Sequence, residues 1–258
     1  MKLYFKFIAI QLKSQMQYKA SFFMTAVGQF LISFSAFLGV YFMLSRFHSV
    51  KGFEFSEILI CFSVVLTSFA ISECFVRGFD VFPRLIQSGN LDRILLRPRN
   101  EVFQVLTSNI EFTRFGRLLQ ALLMLVYAVP ASGIVWSFDK IMTVMLMIIG
   151  GIAVFSSLFV LYAGISFFTV EGIEFMNIFT DGTKEFGKYP VSIYGKGILK
   201  FYTYVVPIAL FQYYPFLYLV GRSDSIGLIF LPLLGFLFMI PCYCFFRFGL
   251  RRYKSTGS

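Results

Sequence analysis

Charge is scarce in this sequence. Asp, Glu, Lys and Arg make up only 14% of 258 residues while 58% are apolar, too little polar surface to cover a water-facing domain of this length. The solvent for much of the chain is therefore lipid. Histidine is nearly absent, and His48 has no second histidine with which to share a zinc ion or a catalytic triad. The four cysteines, Cys61, Cys74, Cys242 and Cys244, lie within or at the ends of apolar runs and lack metal-type spacing. They read as small buried hydrophobes, with no disulfide framework. No G-x-x-x-x-G-K-[ST] loop occurs; YGKGI at 194–198 and DGTKE at 181–185 lack the loop length and the hydroxyl that would hold magnesium. No catalytic residue, metal ligand or cofactor is assigned to this chain.

What is present is a series of apolar runs of about 20 residues, the length a helix needs to cross a bilayer. They fall at Ser21–Ser45, Ser56–Val76, Leu118–Ser137, Ile141–Val170, Ile198–Val220 and Ile226–Phe246. Long continuous runs argue for helices and against a β-barrel, so the expected fold is an all-α polytopic membrane protein with six crossings in a single domain over 1–258. Residues 1–20 carry Lys2, Lys6, Lys13 and Lys19 among Leu3, Phe7, Ile10 and Leu12, without the compact apolar core of a cleavable signal. They read as a basic amphipathic helix on the membrane surface.

Basic residues cluster in this leader, in the 77–100 segment (Arg77, Arg84, Arg93, Arg97, Arg99) and at the C-terminal end (Arg247, Arg251, Arg252, Lys254). The positive-inside rule puts all three in the cytoplasm. The net charge of +10 thus reflects topology and anionic headgroups, and implies no nucleic acid.

The longest polar stretch is FPRLIQSGNLDRILLRPRN, residues 82–100. Pro83 suits a first helical turn, Gly89 a C-cap and Pro98 a stop, so the stretch reads as two short helices. Topology alone asks for no more than a basic loop here. The wording of the loop adds to that: Ile86, Gly89, Leu91, Asp92, Leu95, Leu96, Arg97 and Pro98 form an I-x-x-G-x-L-D-x-x-L-L-R-P pattern. Further on stands KYPVSIYGKGILKFYTYVVPIALFQYYPFLYLVGR at 188–222, with its Tyr-Pro start, central Pro207 and closing Tyr-Tyr-Pro. On these stretches, and on the order and spacing of its hydrophobic segments, the chain resembles an ABC-2 type permease, the transmembrane subunit of an ATP-binding-cassette exporter of the bacterial plasma membrane.

That resemblance implies a half-transporter that pairs with a second permease, as a homo- or heterodimer, and with a dimer of separate ATPase subunits that hold ATP and Mg. It implies a coupling helix within the 78–100 loop, with Arg84, Leu85, Gln87, Leu91, Asp92 and Leu95 meeting the ATPase. The Leu and Ile residues would fill a groove and the Arg residues would meet its acidic rim.

Two layouts of the fifth span compete. Residues 171–188, EGIEFMNIFTDGTKEFGK, are amphipathic and suit a surface helix, with 198–220 as the crossing. The resemblance favours a fifth span over 171–187 and an outer re-entrant hairpin over 189–222, which places Glu171, Glu174, Asn177 and Asp181 toward a cavity or a partner. With Ser68, Ser72 and Glu73 on the second span, these acids would line a path for a cationic or amphiphilic cargo. The alternative for the second span is that its hydroxyls let helices pack closely and that Glu73 pairs with Arg77 one turn on. The tyrosines of 202–218 read equally as an interfacial belt or a stacking surface. Two other classes stand beside the exporter: a membrane-embedded assembly subunit with no path of its own, and a proton-coupled carrier using the 171–185 acids as a relay.

Overall fold

The computed structural model describes residues 2–47, 49–169 and 173–254. The chain is mostly helical, as its apolar runs require. Helix α1 (Lys2–Gln15) continues through one 3₁₀ turn, Met16–Tyr18, into α2 (Lys19–Phe47). A two-strand hairpin, β1 (Ser49–Val50) and β2 (Phe53–Glu54), turns the chain through Lys51 and Gly52, both at positive φ. Glu54 and Glu57 then form a capping box that starts α3 (Phe55–Phe75).

Helix α3 is the axis of the molecule. Almost its whole length is buried, and it packs against α8 (Phe115–Ala131) and α9 (Phe138–Ile165). Small residues allow the close approaches. A Cβ at Gly116 of α8 would collide with the Ala26 carbonyl of α2, and one at Gly151 of α9 would collide with the Ser68 side chain of α3. The last long helix, α14 (Leu234–Arg252), lies along α9.

Between α3 and α8, at the basic end, come four short helices: α4 (Arg77–Asp80), α5 (Phe82–Gln87), α6 (Asn90–Leu95) and α7 (Glu101–Ser108). Pro83 sits in the first turn of α5, and Gly89, at φ 67°, makes the reversal between α5 and α6. After α9 the chain forms α10 (Ile173–Phe186) beside α3 and α9.

Five helices among the described residues are long and apolar enough to cross a membrane: Leu3–Arg46, Phe55–Phe75, Phe112–Ala131, Phe138–Ile165 and Ile226–Arg252. The sixth apolar run, 198–220, is not one helix. It is divided into α11 (Lys196–Tyr204), α12 (Ile208–Phe211) and α13 (Tyr213–Leu219), because Pro207 cannot donate to a continuing helix and constrains Val206 before it. Of the four cysteines, three are buried; Cys244 is exposed, contrary to the sequence expectation.

Candidate functional site

The polar residues expected on the second span have partners already. Ser68 Oγ donates to the carbonyls of Val64 (2.8 Å) and Ile148 (3.1 Å), and Ser72 Oγ to those of Ser68 (3.0 Å) and Ile152 (3.2 Å). Both residues are fully buried between α3 and α9. Neither hydroxyl faces open space in this conformation; each ties α3 to α9.

Glu73 is more than Arg77's neighbour. Its carboxylate meets Arg77 (3.3 Å), Arg114 (3.7 Å) and Arg117, while Arg77 also reaches Asp80 (2.6 Å) and Glu111 (3.2 Å). Arg114 returns to Glu111 at 3.4 Å, and Arg117 donates to Gln29 Oε1 at 2.9 Å. Glu73 and Arg117 are buried. Three acids and three arginines from the end of α3, from α4, from the turn before α8 and from the start of α8 thus form one network at the basic end. A buried charge is tolerable only with such partners. Burial raises the Asp80 carboxyl above its ordinary pKa while Arg77 pulls it down. Sequence reasoning found the pair one turn apart and missed Arg114 and Arg117, whose i, i+3 spacing just before an apolar run was the available signal.

On α10 the acids and lysines divide by depth. The Asp181 and Glu185 side chains are 59% and 54% exposed, whereas Lys184 and Lys188 are each 14% exposed. Lys184 Nζ lies 2.8 Å from Asp181 and 4.8 Å from the centre of the Phe69 ring of α3; Lys188 pairs with Glu185 and lies 5.6 Å from the Phe62 ring. The lysine stems thus fold back onto aromatic faces and leave the carboxylates outward. Glu171 lies outside the described residues. Glu174 and Asn177 fall in α10, but their side chains are also outside what is described.

The α5–α6 hairpin has two unlike faces. Phe82, Pro83, Ile86, Leu91 and Ile94 are buried, and Phe82 meets Phe167 and Phe246 edge-on at 5.1 and 5.4 Å. Arg84, Gln87, Leu95 and Leu96 are exposed, and Leu85 and Asp92 are half-buried. Leu91, expected in a partner's groove, is fully enclosed in the chain's own core in this conformation. Leu96, 85% exposed, is the most exposed leucine of the loop. A cavity of about 270 Å³ lined by Arg77, Asp80, Arg84, Gln87 and Tyr162 joins this outer face to the ionic network.

Among known families, a model described as ABC-2 family transporter protein matches residues 30–257. No curated protein and no solved structure matches the chain.

Proposed function

Because the chain belongs to the ABC-2 family transporter proteins, a family of membrane permeases that work with an ABC ATPase, we propose that it forms half of the translocation path of an ATP-driven exporter. It pairs with a second permease of the same or a related sequence and with two ATPase subunits, which carry the ATP and Mg. The membrane is the bacterial plasma membrane, with both termini on the cytoplasmic side where the basic segments gather. Substrate moves outward by alternating access.

One observation carries this reading: the α5–α6 hairpin is anchored on one face and open on the other. Its inner face is locked to Phe167 and to Phe246 of α14, and its outer face offers Arg84, Gln87, Leu95 and Leu96. Displacement of that face by a closing ATPase dimer is transmitted to α3 and α8 through Arg77, Glu73 and Arg117.

The proposed topology has six crossings, with α10 as the fifth and 189–222 as an outer re-entrant hairpin. Three contacts support it. Lys51 Nζ, in the α2–α3 turn, reaches the Ser192 carbonyl at 3.4 Å, and Arg222 binds the Gly52 carbonyl in the same turn. Both ends of the segment thus meet one end of the bundle, while Tyr202 and Val206 between them pack into the core. Gln212 Nε2 donates to the carbonyls of Gly187 (3.3 Å) and Tyr189 (2.9 Å), tying the returning limb to the end of α10. The outward Asp181 and Glu185 of α10 favour a cationic or amphiphilic cargo.

The experiment is to tag the permease, purify it in mild detergent with whatever stays bound, and measure substrate-stimulated ATP hydrolysis. Leu95→Asp/Leu96→Asp alters only the exposed face and is expected to shed the ATPase, since a carboxylate desolvated in an apolar groove is costly. An intact complex with normal hydrolysis in that double variant refutes the coupling assignment.

A further inference from the structure

A second cavity, of about 580 Å³, opens between α1 and the α6–α7 segment and plays no part in the coupling described above. One wall is basic, with Arg93, Arg97 and Arg99; the other is apolar, with Phe7, Ile10 and Phe103. No acid lines it. None of the three arginines forms an ion pair among the described residues. The next acid in sequence, Glu101, faces elsewhere and pairs with Arg247 at 3.0 Å. Three guanidinium groups that face one cavity and have no ion pair among the described residues repel each other unless an anion joins them.

The apolar wall says what kind of anion. Helix α2 has 29 residues, about 44 Å of helix, and so exceeds the roughly 30 Å hydrocarbon core without help from α1. Helix α1 therefore sits at the headgroup side, yet Phe5 and Ile10 are 64% and 61% exposed beside Lys2, Lys6 and Lys13. That combination belongs at an interface with anionic lipid. Helix α1 is fixed there by its own side chains: Gln11 Nε2 donates to the Ser108 carbonyl at 3.0 Å, Gln15 Nε2 donates to the Ile110 carbonyl, and Gln15 Oε1 accepts from the Phe112 N–H at 3.0 Å. Phe7 packs edge-on against Phe103 at 6.1 Å across the apolar wall.

We infer that this cavity holds an anionic phospholipid. Its headgroup phosphate bridges Arg93, Arg97 and Arg99, and an acyl chain lies against Phe7, Ile10 and Phe103. Guanidinium forks suit a phosphate, and the apolar wall suits a chain that a soluble anion lacks.

The test uses the full-length permease with its co-purifying partners, in nanodiscs of phosphatidylcholine with increasing phosphatidylglycerol, and counts retained phosphatidylglycerol by native mass spectrometry. Wild type is expected to retain it preferentially. Arg93→Gln/Arg97→Gln/Arg99→Gln is expected to weaken retention about a hundredfold, from the summed contribution of three basic residues near a membrane surface. The all-lysine version should restore part of it, and Arg46→Gln, outside the cavity, should leave it unchanged. Equal retention of phosphatidylcholine, or an unaltered preference in the triple glutamine variant, overturns the inference. Displacement of the lipid by millimolar inorganic phosphate also overturns it, as that marks a plain phosphate site. If the triple variant keeps its lipid but sheds the ATPase, the arginines serve the partner and the inference again falls.

Discussion

Glu73→Gln removes the one carboxylate that Arg77, Arg114 and Arg117 share. The amide keeps the shape of the side chain and loses its charge, so Arg117, buried and left with the neutral Gln29 and the Phe69 ring, is an uncompensated positive charge among the described residues. Breaking a buried pair from one side costs about 3–5 kcal/mol, a large share of the roughly 5–15 kcal/mol that holds a domain folded. Thermal unfolding of the purified permease should move down by on the order of 10 °C. Two comparisons isolate the cause. Glu185→Gln removes an exposed carboxylate with its own lysine and should stay within about 0.5 kcal/mol of wild type. Glu73→Gln combined with Arg117→Gln should lose less than the sum of the two single changes, by roughly 1–3 kcal/mol, because each change relieves the other. A Glu73→Gln protein as stable as wild type, or strict additivity in the pair, refutes the network as described.

Leu91→Ala should cost about 2–5 kcal/mol of stability through the cavity it leaves, while the folded fraction keeps normal ATPase coupling; thermal unfolding with hydrolysis per folded complex separates the two. Gly116→Val should abolish the close packing of α2 on α8, seen as loss of folded protein by gel filtration. Ser72→Ala should lower stability by only about 0.6 kcal/mol, the typical worth of an interhelical hydrogen bond in a membrane, with transport retained. Asp181→Asn/Glu185→Gln should reduce stimulation of ATP hydrolysis by cationic amphiphiles more than by neutral ones, and equal loss for both would remove the acids from cargo selection.

The helical membrane class and the family were legible because both live in long-range composition and in runs of residues. Twenty-residue apolar stretches announce helices whatever their neighbours, and the loop pattern around Gly89 is contiguous. Three things escaped because they depend on rotation or on distant partners. Leu91 and Leu96 are both leucines in one polar loop, yet one is enclosed and the other 85% exposed, and hydropathy does not register which way a helix is turned. Glu73's main partner, Arg117, is 44 residues away across the α3–α8 contact. The break in the run at 198–220 is of another kind, local and legible: the run has the length and greasiness of a span, but Pro207 stands inside it. The sequence leaves the hydroxyls of Ser68 and Ser72 open between cargo contact and helix packing, because nothing in it tells where the carbonyls of Ile148 and Ile152 stand.

The hairpin's two faces also have a consequence for descent and engineering. Phe82, Ile86 and Leu91 answer to the permease's own interior and Leu95 and Leu96 to what lies outside, while Arg84 and Gln87 also line the cavity shared with Arg77, Asp80 and Tyr162. The two outer leucines can therefore drift, or be rewritten, without renegotiating the inner three. On the coupling proposed above, a permease of this build exchanges one ATPase for another by a handful of surface substitutions, with its membrane core left as it is.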